Sequence, residues 1–385
     1  MLANISCSEA IAALRRGESL SPGLVRALGE EQHADFFRLI VEPLADSFDP
    51  VDAAAYARLM EVWIPPVPDV TPEIPKRVDT AYVLSRVTLG ADVKITSIVL
   101  DAMKRRFPEA HIVLVGNRKS AELFTLDPRI EHLDAPYPRS GPVSARIEFA
   151  EEVRQQLTAR NSIVVDPDSR MTQLGLIPLC APERYFHFPS RTLPGGSDPD
   201  TTNLTILTEQ WVKDTFDIDA AAFIAPERVI NETPGPRAAV NLGVGDNESK
   251  RIPGDFETQL IQTLAAGFST IWVDRGAGGE EAERVTAAVG ESGCSKRVRF
   301  WEGSLAGFAS IIAQSDLYVG YDSAGQHAAA AATTPLITVF AGAPNRRFRK
   351  RWSPSGPGPI HIIDASTKTP AACLDRISAI LNVRA

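Results

Sequence analysis

The stretch VDTAYVLSRVTLGADVKITSIVLDAMKRRFPEAHIVLVG, Val78 to Gly116, decides the fold class. Its opening, VDTAYVLS, is short and apolar and reads as a buried strand. Apolar residues then recur at three- and four-residue spacing through DVKITSIVLDAMKRRFP, which predicts a helix, and AHIVLVG is a second strand. Strand, helix and strand in this order form a βαβ unit, the building block of a parallel sheet.

The alternation continues downstream. SAELFTL reads as a short helix, RIEHLDAP as a strand, ARIEFAEEVRQQLTAR as a helix and SIVVD as a strand. After the loop-rich RTLPGGSDPDTTN (Arg191 to Asn203) and a helix near LTEQWVKDTF, the pattern restarts. RAAVNLGV, STIWVDRG, RVRFWEG, SDLYVGYD and PLITVF are its strands. The prediction is two successive Rossmann-like domains, residues 76–225 and 226–385, facing a cleft suited to a nucleotide-linked ligand. Upstream, the first 63 residues or so carry helical periodicity, and PPVPDVTPEIP places five prolines between Pro65 and Pro75. Residues 1–75 are therefore expected to be a helical appendage on a stiff tether.

Composition narrows the class. At 385 residues the chain exceeds one ordinary domain, and 44% hydrophobic with 23% charged residues suits packed cores rather than disorder. A net charge of -8 opposes broad nucleic-acid binding, which needs a basic face. Cys7, Cys180, Cys294 and Cys373 form no CxxC pair, so scattered reduced thiols are expected rather than zinc. The start, MLANISCSEAIAALRRGESL, lacks the basic and apolar regions of a signal peptide, and no run has the length of a membrane span. The expectation is a soluble cytoplasmic protein.

Five clusters could carry chemistry, and each has a structural alternative. The Gly90-Ala91-Asp92 turn lies at the carboxyl edge of the first sheet, where Asp92 is either a general base facing the cleft or a helix cap. In NLGVGDNESKRIP (Asn241 to Pro253), Gly243 and Gly245 let a backbone approach phosphates and Lys250 offers a point charge. Asp246 and Glu248 in the same loop favour an ordinary solvated loop. In VDRGAGGEEAERV (Val273 to Val285), Glu280 or Glu281 is placed for ribose hydroxyls or simply starts a helix. In YDSAGQHAAAAATTPLITVF (Tyr321 to Phe340), Asp322, Ser323, Gly325 and His327 open an alanine-rich helix whose N-terminus favours an anion. The basic run RRFRKR (Arg346 to Arg351) suits an acidic acceptor or a diphosphate, or is a solvated loop.

Together these segments resemble the glycosyltransferases of family 9, the heptosyltransferases, which have the GT-B fold. The resemblance runs through LGADVKITSIVLDAMKRRFPEAHIVLVG, SKRIP, GAGGEEA, YDSAGQHAAAA, PLITVFAG and RWSP, in order, over residues 77–385. It implies inverting transfer of a heptose or related sugar from a nucleotide-diphosphate sugar, ADP-linked in the best-known members. The acceptor would be a hydroxyl on a lipopolysaccharide core or another glycan or lipid-linked acceptor, and peripheral contact with the inner membrane would fit it. It implies no metal, no cofactor and no nucleic-acid partner. By position, Asp92 matches the catalytic aspartate, and Lys250 matches the phosphate-binding lysine. Asp322, Ser323 and His327 match the donor motif, and Gly243, Gly245 and Glu280 fall in its donor-binding segments. Arg251, Arg346 and Arg351 are further candidates for phosphate or acceptor contacts. Ala324 replaces the motif glycine, with Gly325 displaced by one, and GAD replaces LGD. Two other readings share the fold: a catalytically silent nucleotide- or partner-binding protein, and a sugar-nucleotide epimerase.

Overall fold

Two separate parallel sheets organise the chain in a computed structural model. It describes residues 7–68, 70–193, 202–229, 233–245, 247–276, 278–343 and 345–383. The first sheet contains β1 (Thr80–Leu84), β2 (His111–Gly116), β3 (Ile130–Asp134), β4 (Ser162–Asp166) and β5 (Tyr185–His187), ordered β3-β2-β1-β4-β5. The second contains β6 (Arg237–Asn241), β7 (Thr270–Asp274), β8 (Val298–Trp301), β9 (Leu317–Tyr321), β10 (Leu336–Phe340) and β11 (Ile360–Asp364). Its order is β11-β10-β9-β6-β7-β8. In each sheet the strand order reverses, beside β1 in the first and between β6 and β9 in the second. At such a point loops diverge at the carboxyl ends of the strands and leave a crevice for a ligand. This is the two-domain α/β architecture that the alternation predicts.

Period-two patterning distributes each strand between two cores. Ala81 and Val83 of β1 face a core with Ile98, Val99 and Met103 of the helix that follows. Tyr82 and Leu84, on the opposite face, join a different cluster. That second cluster is where the N-terminal residues go. Helices α1 (Cys7–Arg15), α2 (Pro22–Glu30), α3 (residues 34–46) and α4 (Pro50–Met60) bury Leu14, Val25, Phe36, Ile40, Leu44 and Leu59 in the same cluster as Tyr82, Leu84 and Val164. The expected N-terminal helices are present, and they pack as a layer of the first domain rather than standing apart on a tether. The apolar stripe of each amphipathic helix and the second face of a buried parallel sheet both need cover, and each covers the other.

The same layer reaches the second domain. Phe48, fully buried just after α3, meets Phe348 and Trp352 edge-on, with ring centroids 6.2 and 5.9 Å away. The Arg347 guanidinium donates to the Phe48 carbonyl at 2.8 Å. Elsewhere between the domains, Lys94 Nζ donates to the Ser353 carbonyl at 2.7 Å and also to Asn203 Oδ1 and Thr205 Oγ1. All three acceptors are neutral, and burial lowers the Lys94 ammonium to about 7 despite Asp322 and Glu209 nearby. Among the described residues no helix is long and apolar enough to cross a membrane.

Candidate functional site

A cleft of about 560 Å³ lies between the domains. The second domain supplies Gly243, Val244, Gly245 and Lys250 from the segment after β6, and Asp322, Ser323, Ala324 and His327 from the β9 junction. Seven of the sequence-predicted donor residues, Gly243, Gly245, Lys250, Asp322, Ser323, Ala324 and His327, thus converge on one wall. They do so because they follow β6 and β9, neighbouring strands with a shared carboxyl edge.

The helix after β9, Ala324–Ala331, is alanine-rich, so propensity favours it and small side chains let it sit close to the sheet. Gly325 is required at its first turn, because a Cβ there would lie 2.4 Å from Tyr318 Oη, on a fully buried ring. Gly325→Ala is therefore expected to cost about 1–3 kcal/mol, the usual range for overpacking. Thermal denaturation checks this, and an unchanged midpoint would mean that Tyr318 moves aside. Ser323 makes no side-chain cap on this helix. Its hydroxyl instead donates to Asn241 Oδ1 at 3.3 Å, so it leaves the first-turn backbone N–H groups without a side-chain cap.

Lys250 Nζ lies 2.9 Å from Asp322 Oδ2, and Gln326 Nε2 donates to Asp322 Oδ1 at 2.6 Å. Asp322 is thereby the anchor that holds the Lys250 ammonium beside the helix N-terminus. His327 is buried one turn along; burial first, then the charges of Lys94 and Lys250, push its imidazole well below 6.5, so it is neutral. Below pH 6.5 the unfolded chain takes up a proton that folded His327 refuses, so its contribution to stability is lost as pH falls through 6.5 toward its folded value. His327→Phe is expected to flatten the acid-side fall of the denaturation midpoint relative to wild type; parallel curves would contradict it.

The opposite wall is basic. Arg86, Arg139, Arg170 and Arg191 of the first domain line the cleft with Asp168, and Asp46 comes from the end of α3. Arg191 Nη1 lies 2.5 Å from Asp168 Oδ2, and Ser190 Oγ donates to the same oxygen. Burial disfavours the Asp168 charge, but Arg191, His187 and Arg86 outweigh it and hold the carboxyl well below its usual range. Burial lowers Arg86 to about 10 against the pull of Asp168, leaving it cationic at neutral pH. Asp46 is half-exposed and pairs with Arg170 at 2.7 Å.

The sequence did not single out these residues, although a signal exists. Arg86, Arg139, Arg170 and Arg191 follow the carboxyl ends of β1, β3, β4 and β5 by two to five residues, the edge at which open sheets bind ligands.

Asp92 departs from expectation. It is fully buried and does not line the cleft. Ser85 Oγ and Ser120 Oγ donate to Oδ2, both at 2.7 Å, while the Arg86 N–H and Thr96 Oγ1 donate to Oδ1 at 2.7 and 2.8 Å. Burial raises its pKa, and the four donors oppose the rise. Its π-type turn, Asp92–Thr96, points the carboxylate into the first domain, so it secures the Arg86–Gly90 loop instead of facing a ligand. At Gly90 the domains approach so closely that a Cβ would lie 3.2 Å from Ala324 Cα.

Other candidates also fall outside the main cleft. Glu280 is exposed and lines a neighbouring cavity with Val244, Gly245 and Arg251. Val244 and Gly245 belong to both spaces. Glu281 accepts from the Val244 N–H at 3.1 Å and braces that loop. Arg251 is also 3.6 Å from Glu257. Arg346 lines a separate cavity near Asp364, and Arg351 is a buried strut donating to the Leu193 carbonyl at 2.8 Å. Gly325 lies beneath the wall of the cleft, against Tyr318. Asp246 and most of the Arg191–Asn203 loop lie outside the described residues. Among the described residues no group of three His, Cys, Asp or Glu could hold a metal ion.

Comparison with known proteins agrees with the two-domain fold. Residues 260–376 match glycosyltransferase family 9 (heptosyltransferase). No curated protein matches the chain. Among solved structures, a glycosyl transferase family 9 protein from Veillonella parvula aligns with a TM-score of 0.57 at 18% identity, covering 76% of this chain and 86% of that one. The E. coli heptosyltransferase WaaC with ADP-2-deoxy-2-fluoro heptose aligns with a TM-score of 0.53 at 16% identity, covering 78% and 99%. E. coli ADP-heptose LPS heptosyltransferase II gives 0.52 at 17% identity, covering 80% and 100%.

Proposed function

We propose that this heptosyltransferase-like protein of glycosyltransferase family 9 moves a heptose or related sugar from a nucleotide-diphosphate sugar, ADP-linked, to a hydroxyl of a glycan or lipid-linked acceptor. The observation that carries the reading is Lys250, anchored by Asp322 beside the N-terminus of the Ala324–Ala331 helix at the strand switch point of the second sheet. That corner offers a diphosphate a cation and unpaired backbone N–H groups together. Its solved neighbours include WaaC with an ADP-linked fluoro-heptose, which motivates the choice of nucleotide and sugar. Glu280 lines the adjoining cavity, and the ribose hydroxyls are assigned to it as part of this proposal.

In the reaction, the acceptor oxygen attacks the anomeric carbon and its proton passes to a carboxylate. The bond from that carbon to the diphosphate oxygen breaks, and its electron pair leaves with the nucleoside diphosphate. The configuration inverts. Lys250, the helix N-terminus and the first-domain arginines stabilise the leaving charge, so the chain's own cations serve where a metal otherwise would. Asp92 is too enclosed to take the proton. The carboxylates lining the cleft are all ion-paired, but Asp322 and Asp168 are buried in their pairs with Lys250 and Arg191. Asp46, paired with Arg170 at 2.7 Å and Arg191 at 3.6 Å, is half-exposed and is our choice of base.

The test is release of nucleoside diphosphate from a panel of nucleotide sugars, with and without glycan acceptors, beside calorimetry of ADP binding. Consumption of ADP-heptose is expected, with ADP bound about ten- to a hundredfold more weakly by Lys250→Ala. ADP binding that ignores Lys250 would defeat the assignment.

A further inference from the structure

A further, smaller cavity of about 250 Å³ adjoins the cleft on the side of the first domain. Leu44, Ala53 and Ala57 of the helical layer form one side, and Leu174, Leu176 and Pro189 of the first domain another. Two of its polar lining residues, Asp168 and Arg191, also line the cleft, so the two spaces meet across that ion pair. His187, with Nε2 3.6 Å from Asp168 Oδ1, completes the polar end. The walls are apolar and this end is charged, which is the pattern of a site that buries one part of a ligand and orients another. An apolar cavity of about 150 Å³ is enough for benzene, so this one has room for a substituted ring or a short branched chain.

We propose that this cavity seats the apolar body of the acceptor, an alcohol whose aryl or short alkyl aglycone enters between the helical layer and the first domain. Its hydroxyl passes Arg191 and Asp168 into the cleft. The inference deepens the sugar-transfer reading and rests on it. It also gives the helical layer a role: α3 carries Leu44 and Ala45 to the cavity and Asp46, the next residue, to the cleft. One short segment thus touches both the seat of the acceptor and the group that takes its proton. Sugar transfer to an unsubstituted glycan would need no such chamber.

The test uses the full chain and 4-methylbenzyl alcohol, titrated by ligand-observed NMR, with ADP titrated in parallel by calorimetry. Saturable binding of the alcohol to wild type is expected. Ala57→Phe should weaken it at least about tenfold by filling the cavity, with ADP affinity unchanged. Ala53→Leu, at a half-buried position that tolerates a larger side chain, should weaken it in the same direction. No saturable binding, or equal binding by wild type and both variants, would overturn the cavity as a ligand site. If the alcohol binds as expected to a chain that does not bind ADP, the acceptor role falls together with the reading it rests on. If ADP binds and the alcohol does not, only the acceptor seat falls.

Discussion

Asp92→Ala is expected to lower the unfolding free energy by about 2–4 kcal/mol. Removing the carboxylate strands the buried Arg86 N–H, which costs about 1–3 kcal/mol, and leaves a cavity that adds to the loss. The hydroxyls of Ser85, Thr96 and Ser120 lose their common acceptor, although Ser85 and Ser120, 3.3 Å apart, can turn toward each other. Asp92→Asn should also destabilise, because an amide NH₂ would face donors on at least one side. Chemical denaturation of both variants measures this. A base at the mouth of the cleft would behave differently: Asn would keep stability and donor affinity while turnover collapsed. Stable Asn and Ala variants that lack turnover would return Asp92 to the chemistry.

Asp46→Asn carries the second large effect. As the base in the cleft, Asp46 should contribute about 10²–10⁴-fold to turnover. The substitution keeps size and removes proton acceptance at neutral pH. Its partner Arg170 also pairs with Glu42 at 2.9 Å, so the guanidinium retains a carboxylate. Stability should therefore change little and ADP affinity not at all, with the loss confined to kcat. Steady-state kinetics with ADP-heptose and an accepted acceptor checks this. Near-normal kcat would remove Asp46 from the mechanism and shift attention to Asp168.

Much of the architecture was legible in the chain because burial on both faces writes parallel strands as short apolar runs. VDTAYVLS and PLITVF are examples, and β1 and β10 lie within them. Lys250 and Asp322 were legible for a related reason. Both follow strands of one sheet, and the shared carboxyl edge brings them within 2.9 Å across 72 positions of sequence.

The rest depended on contacts between distant segments. Asp92 looks like a cleft residue by position, yet Ser85 and Ser120 come from before and after its own helix to enclose it. The helical layer looked separable because the prolines after it resemble a tether. Only the fit of Leu14, Phe36 and Leu59 to the outer face of β1 and β4 reveals the shared core. The basic run near Arg346 divides: Arg351 is buried as a strut, Arg349 pairs with Asp364, and Arg346 faces a different cavity. A run of like charges says nothing about which direction each side chain takes. The four arginines of the first domain, by contrast, were within reach of the carboxyl-edge rule, since each closely follows a strand.

The most direct measurement is the structure of the full chain with ADP. The diphosphate is expected at the N-terminus of the Ala324–Ala331 helix, within hydrogen-bond reach of Lys250 Nζ and facing the arginines of the first domain. ADP bound elsewhere, or a cleft still empty at saturating ADP, would contradict it.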